Sequence, residues 1–234
     1  METDLQVFTD KPLDAGFLEE KVVSFRADIQ RYSIRDPLFQ KTLKPIAVES
    51  TAPAIVKKMS RAARLANVGP MAAVAGAIAQ GIGELLIRKG FRDVIVENGG
   101  DIFLKSRQPV RVGIFAGDSP LSGKIFLRID PLSSFRSVCT SSGTVGHSLS
   151  FGSADAVVVI ADNAFIADAA ATAVANRVSS SSDCETALDF GMAIRDVRGI
   201  IIIIGRTLAA RGKAVILESN KKNNFPGFSS VKKS

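Results

Sequence analysis

Asp168 and Thr172 are the two polar residues of an otherwise apolar stretch from Ala164 to Ala175. A spacing of four residues sets both on one face of a helix, about one turn apart. A carboxylate beside a hydroxyl is hard oxygen chemistry, suited to Mg²⁺ and to phosphates carried by Mg²⁺. The surrounding alanines leave that face open to a large ligand lying against the backbone. A structural alternative stands beside this one: a close-packed helix with an acidic residue near its positive end. The helix must be held by what precedes it. Ala156–Ala161 is an apolar run of strand length, and Asp162-Asn163 reads as a turn.

Three other segments repeat the pattern of small residues around a few oxygen-bearing side chains. Asn98-Gly99-Gly100-Asp101 joins two strand-like runs. It suits a hairpin turn, since glycine tolerates positive φ. It equally suits close backbone approach to a ligand, with Asn98 and Asp101 as polar contacts. Thr140-Ser141-Ser142-Gly143-Thr144 follows a strand and offers hydroxyls and backbone N–H groups. Such loops cradle phosphates when the N–H groups converge, and otherwise are Ser/Thr-rich turns. The Gly-Lys-Ser/Thr ending of a Walker loop is absent. His147, the one histidine, suits a general base or a phosphate contact as well as a plain hydrogen-bonding role. Asn67-Val-Gly-Pro70 opens a long helix of small residues, with Gly69 and Gly76 among them.

Together and in this order, these segments resemble the superfamily of ApbE-type flavin transferases, which move FMN from FAD onto a protein hydroxyl. The Gly-Gly-Asp turn is Gly99-Gly100-Asp101, the Thr-Ser-Gly loop is Thr140 to Gly143, and the Ala-Asp-Ala-x-x-Thr helix is Ala167 to Thr172. The match is closest to a shorter, uncharacterised ApbE-like family that carries Val68–Ala79, Glu97–Asp101 and Cys139–Gly152 almost verbatim. The resemblance covers roughly residues 2–217. It implies a single-domain, T-fold-related α+β architecture, with layers of mostly antiparallel sheet and helices. It implies a flavin nucleotide, FAD or FMN, with Mg²⁺ at the diphosphate held by Asp168 and Thr172. The residues from Thr140 to Thr144 would hold phosphate oxygens, and the Asn98–Asp101 turn would lie beside the flavin or its ribityl–phosphate arm. Gly69, Gly76 and the alanines would line an apolar slot.

The chain also departs from the superfamily pattern. The transferases proper carry His-x-x-Asp-x-x-Thr-Gly after the Thr-Ser-Gly loop. Here the region is His147-Ser-Leu-Ser-Phe-Gly152, shortened and without the aspartate. Asp155 lies close in sequence and is the candidate substitute. Weak or absent FMN transfer is therefore expected. The resemblance further implies an upstream strand that a chain starting at Met1 lacks, so the amino terminus reads as shortened or its start as mis-assigned.

Bulk properties bound the alternatives. At 234 residues the chain suits one domain and can bury about three-quarters of its unfolded surface. Cys139 and Cys184 form no Cys-x-x-Cys pair, which argues against a zinc ribbon, an iron–sulfur cluster or a disulfide scaffold. The start lacks a basic, then apolar, leader, and no apolar run reaches the ~20 residues of a membrane span. The expectation is a cytoplasmic protein without a membrane partner. The net charge is +7. Lys57, Lys58, Arg61 and Arg64 gather on one side of a predicted helix, and residues 219–234 read as a basic, disordered tail behind a domain of residues 1–218. That pattern fits a solvated face and tail better than nucleic-acid binding, since the chain has one tyrosine and no tryptophan.

Helical periodicity spans Asp14–Tyr32, Pro53–Ala66, Met71–Lys89 and Glu185–Ile194. Strands are expected at 5–8, 94–96, 102–105, 110–115, 125–129, 136–139, 199–204 and 214–217. Helices interleaved with hairpins point to α+β rather than a doubly wound sheet. The leading expectation is thus a flavin nucleotide-binding protein, with an acceptor protein as partner if it transfers FMN and a homo-oligomer left open. The alternatives are an accessory protein of sulfur and homocysteine metabolism that transfers nothing, a role associated with the short family, and a nucleic-acid-binding protein.

Overall fold

In the computed structural model, residues 5–131, 136–143, 152–213, 215–218 and 229–233 are described. The chain starts with β1 (Leu5–Thr9), α1 (Ala15–Arg35), α2 (Pro37–Lys41), α3 (Ala54–Ala66) and α4 (Val74–Arg88). It continues through β2 (Val94–Asn98), β3 (Asp101–Lys105), β4 (Val110–Gly113), β5 (Ile125–Ile129), β6 (Arg136–Ser141) and β7 (Ala156–Ala161). Then come α5 (Ala164–Ala175), α6 (Cys184–Met192), β8 (Val197–Ile204), β9 (Thr207–Gly212), β10 (Val215–Glu218) and β11 (Ser229–Lys233). Eight strands form one sheet in the order β11-β1-β2-β3-β6-β7-β8-β9, and β10-β5-β4 form a second. Neighbouring strands are antiparallel. This is the expected α+β fold.

The large sheet is the middle of three layers. Successive residues of a strand point to opposite faces, and the apolar runs divide accordingly. Val157, Val159 and Ala161 join the core under the helices, while Ala156, Val158 and Ile160 join the core against the small sheet. Ile200 and Ile202 separate from Ile201 and Ile203 in the same way. A strand covered on both faces needs no polar alternation, which is why these strands read as unbroken apolar runs.

α4 and α5 lie at the centre of the helical layer because their residues are small. Ten of the twelve residues of α5 are buried. A Cβ on Gly83 would stand 2.0 Å from the Phe103 ring, so glycine there lets α4 settle onto β3. Pro70–Arg88, a 3₁₀ turn running into α4, is long and apolar enough to cross a membrane by composition. Its small residues are spent instead on packing against the sheet and α5.

Several boundaries differ from the sequence expectation. α1 runs to Arg35, where Asp36-Pro37 ends it, rather than stopping at Tyr32. The helix expected from Met71 starts as a 3₁₀ turn, Pro70–Ala73, and becomes α-helical at Val74. β9 has no counterpart among the expected strands, because Leu208-Ala-Ala210 is not β-branched and shows no alternation. Residues 229–233, placed by sequence in a disordered tail, form the strand that pairs with the otherwise open edge of β1.

Candidate functional site

The hairpin between β2 and β3 turns on two glycines with positive φ, 60° at Gly99 and 97° at Gly100. That pair of signs defines a type I′ turn, whose twist matches the strands. It sets Asn98 opposite Asp101, and both share the strand face of Val96 and Phe103, which pack under the helices. Asn98 donates from Nδ2 to the Ala75 carbonyl at 3.1 Å. Asp101 is buried, with the Cys139 thiol and the Thr140 N–H beside it. Its Oδ1 has no hydrogen-bond partner among the described residues. Burial pushes the Asp101 carboxyl well above the usual carboxylate range, and the neighbouring Asp168 pushes it further.

Asp168 approaches the same place from α5. Its Oδ2 accepts the Gly76 N–H at 2.9 Å, and the carboxylate also takes the Ala75 N–H. The first N–H groups of a helix lack intrahelical partners, and α4 has no side-chain cap of its own. Asp168 therefore caps α4 from another helix. The reverse contact exists too: Gln80 of α4 accepts the Ala164 N–H at 2.7 Å, at the start of α5. The two helices cap each other where their first turns cross. Gly76 permits that crossing, since a Cβ there would lie 2.3 Å from the Ala164 carbonyl oxygen.

Burial raises the Asp168 carboxyl from 3.8 to about 7, against the two N–H bonds that lower it. Among the described residues no lysine or arginine is a cause of either shift. Asp168 and Thr172 are the two positions of α5 that are not buried. Its one half-buried strip therefore carries its two polar residues. The slot expected from Gly76 and the alanines is filled by the chain itself: the alanines are buried and Gly76 packs on α5.

The Thr140–Gly143 segment adjoins the hairpin. Thr140 Cβ would lie 3.9 Å from a Cβ on Gly100. Ser141 is buried and its Oγ has no hydrogen-bond partner among the described residues. Ser142 is half-buried and Gly143 exposed. Gly143 donates its N–H to Ala154, and a Cβ on it would strike the Gly152 carbonyl, so the two sides of the intervening segment meet there. Thr144 and His147 lie outside the described residues. Asp155 accepts the Gly205 N–H at 2.7 Å and so ties its carboxylate to the β8–β9 turn. Gly69 is buried against Thr42, whose carbonyl oxygen would stand 1.9 Å from an added Cβ, so its missing side chain is required by chain packing.

Asn98, Asp101 and Asp168, drawn from two sequence motifs, therefore meet at the first turn of α4, with the Thr140 N–H at Asp101 and the Thr140 side chain opposite Val158 on the other face of the sheet. Gln80 and Cys139 belong to the junction as well. Gln80 signals itself only as an amide in an apolar helix, and Cys139 only as an isolated thiol. Two inward carboxylates without a basic partner, a hydroxyl one turn away and two orphaned buried oxygens fit a hard divalent cation. No group of three or more His, Cys, Asp or Glu that would hold a metal occurs among the described residues. Six or more oxygens are needed around such an ion, so water or an oxygen-rich ligand would complete the set.

The three-layer fold is ApbE-like. The flavin transferase ApbE of Vibrio cholerae has a similar fold, with a TM-score of 0.59, 14% identity, and coverage of 100% of this chain and 94% of that one. The apo flavinyl transferase ApbE of Pseudomonas stutzeri gives 0.57 at 13% identity, over 91% of this chain and 95% of that one. A family model described as "AbpE bacteria" matches residues 1–213, and the chain belongs to that family. The UPF0280 protein of Methanocella arvoryzae is 43% identical over 212 residues, covering 91% of this chain and 86% of its own length. That of Methanococcus aeolicus is 42% identical over 217 residues, covering 91% and 88%.

Proposed function

We propose that this protein binds a flavin nucleotide, FAD in the first place, with Mg²⁺ between its diphosphate and the side chains of Asp168 and Thr172. The observation that carries the reading is the polar face of α5. On an otherwise buried helix only Asp168 and Thr172 are half-buried, and they lie near a second carboxylate whose Oδ1 has no hydrogen-bond partner among the described residues. The flavin transferases of similar fold support the choice of ligand. Mg²⁺ would offset repulsion between phosphate oxygens and the two carboxylates. Asn98 and Asp101 would hold the hairpin glycines against the ligand, and Thr140 to Gly143 would offer hydroxyls and N–H groups to phosphate.

The test is a titration of FAD with and without Mg²⁺, followed by flavin absorbance after gel filtration. Asp168→Asn keeps the shape and one acceptor for the Gly76 N–H while removing the charge. The expected result is weakened flavin binding that has lost its Mg²⁺ dependence, in a folded protein. Wild-type behaviour from the variant would leave Asp168 as a helix cap and nothing more.

Transfer of FMN to an acceptor threonine is expected to be slow or absent. A threonine hydroxyl needs a base within hydrogen-bond reach. The aspartate that follows the histidine in transferases is missing from His147–Gly152, and the Asp155 carboxylate is engaged by Gly205. Mass spectrometry of a threonine-containing acceptor peptide incubated with FAD and Mg²⁺ reads the outcome. Robust addition of FMN that disappears in Asp168→Asn would make the protein a transferase.

A further inference from the structure

A cleft of about 300 Å³ opens on the helical layer, between α3, the middle of α4 and the first turn of α5. That is the lower end of the range for small-molecule pockets. Asp101, Thr140, Asp168 and Thr172 do not line it. Its apolar surface comes from Ala62 and Leu65 on α3 and from Phe165 and Ile166 on α5. Leu65 is 37% exposed, so part of this surface faces solvent.

The polar groups around it are nearly all committed elsewhere. Lys58 pairs with Glu84 at 3.4 Å and sits over the Phe165 ring. Gln80 accepts the Ala164 N–H and donates to Glu84 at 2.7 Å. Asn163 accepts the Ile166 N–H. Asp196 lies in the field of Arg198. Arg61 remains: it is exposed, it lines the cleft, and it has no ion-pair or hydrogen-bond partner among the described residues.

One uncommitted guanidinium beside a partly exposed leucine selects a particular chemistry. The planar fork of arginine matches carboxylate, phosphate or sulfonate oxygens two at a time. A bare inorganic anion would leave the exposed part of Leu65 uncovered, and a neutral apolar molecule would leave Arg61 unpaired. We propose that this cleft is a second ligand site, adjoining the Asp101–Asp168 junction only through Gln80, which takes an organic anion with its acid group on Arg61 and its apolar body on Leu65.

The probe is 8-anilinonaphthalene-1-sulfonate, followed by fluorescence on the full chain. Saturable binding at one site is expected. Arg61→Glu should weaken it by about tenfold or more, with the melting temperature unchanged. Arg64→Glu makes the same charge change on the same helix but outside the cleft lining, and should leave the affinity near wild type. Non-saturable fluorescence, or equal losses in both variants, overturns the proposal. So does displacement of the dye by inorganic phosphate alone, which would reduce the cleft to a basic patch. FAD with Mg²⁺ should not compete. Competition that vanishes in Asp168→Asn would make the cleft part of the flavin site and end the claim of a second one. Asp168→Asn should keep dye binding, so failure of the flavin reading and failure of this one are told apart.

Discussion

Asp168 carries both a structural and a chemical load, and pH separates them. Burial lifts its carboxyl from 3.8 to about 7, and Asp101 beside it is raised as well, so the titration belongs to the pair. A carboxyl raised in the folded state binds more protons there than in the unfolded chain. Its contribution is favourable below the unfolded value near 4 and is lost as pH rises through about 7. The proposed divalent cation would take the place of the proton, so its affinity should rise over the same interval. Melting curves at pH 5 and pH 8, with and without Mg²⁺, measure this. The ion should raise the melting temperature at pH 8 and have little effect at pH 5, and Asp168→Asn should flatten the difference. An equal Mg²⁺ effect at both pH values, or in the variant, would place the ion elsewhere. The residue types and their order were readable because each motif is local: Asn98-Gly-Gly-Asp101 encodes its own turn, and Asp168 and Thr172 their own face. The tie between Asp155 and Gly205 was not, since it spans 50 residues and depends on how β7 meets β8.

At the scale of elements, the site is as rigid as the crossing of α4 and α5. Each helix supplies the other's cap, through Asp168 onto Gly76 and through Gln80 onto Ala164. Gln80→Ala removes one half of the exchange and leaves the buried Ala164 N–H without its acceptor. The expected cost is about 1–2 kcal/mol, read as a lower urea midpoint with an unchanged slope. Flavin affinity should fall with it, because α5 holds Asp168. If stability is unchanged, the amide is not what fixes the start of α5. These contacts explain which boundaries the sequence conceals. α3 ends at Asn67, whose left-handed φ of 57° is a local signal. The start of α4 has no such signal, because its cap lies 92 residues away. Alanine runs also read ambiguously. The same small residues that suggest an open slot for a ligand are what allow two helices to touch, and α5 shows the second use.

At the scale of the whole molecule, the proposed site would draw on segments far apart in sequence. A middle sheet covered on both faces offers little surface of its own, and the junction lies where hairpin, loop and two helix starts converge rather than on one element. A ligand seated there touches segments far apart in sequence and is bound only when all are assembled. The unfolded chain, with its carboxylates dispersed, has no comparable affinity, so binding must appear as global stability. At a hundredfold excess over its dissociation constant a ligand adds ~2.7 kcal/mol. For a domain of this size that is roughly 5–10 °C in melting temperature. FAD with Mg²⁺ should therefore raise the midpoint by that amount as one cooperative transition, and a chelator should remove most of the gain. FAD without the ion should give a smaller shift, since its diphosphate would then face Asp101 and Asp168 unscreened. Equal shifts with and without Mg²⁺ would mean that the flavin sits away from the acidic junction. No shift at saturating FAD would remove the flavin reading for this chain while leaving its fold and its cross-capped helices as described.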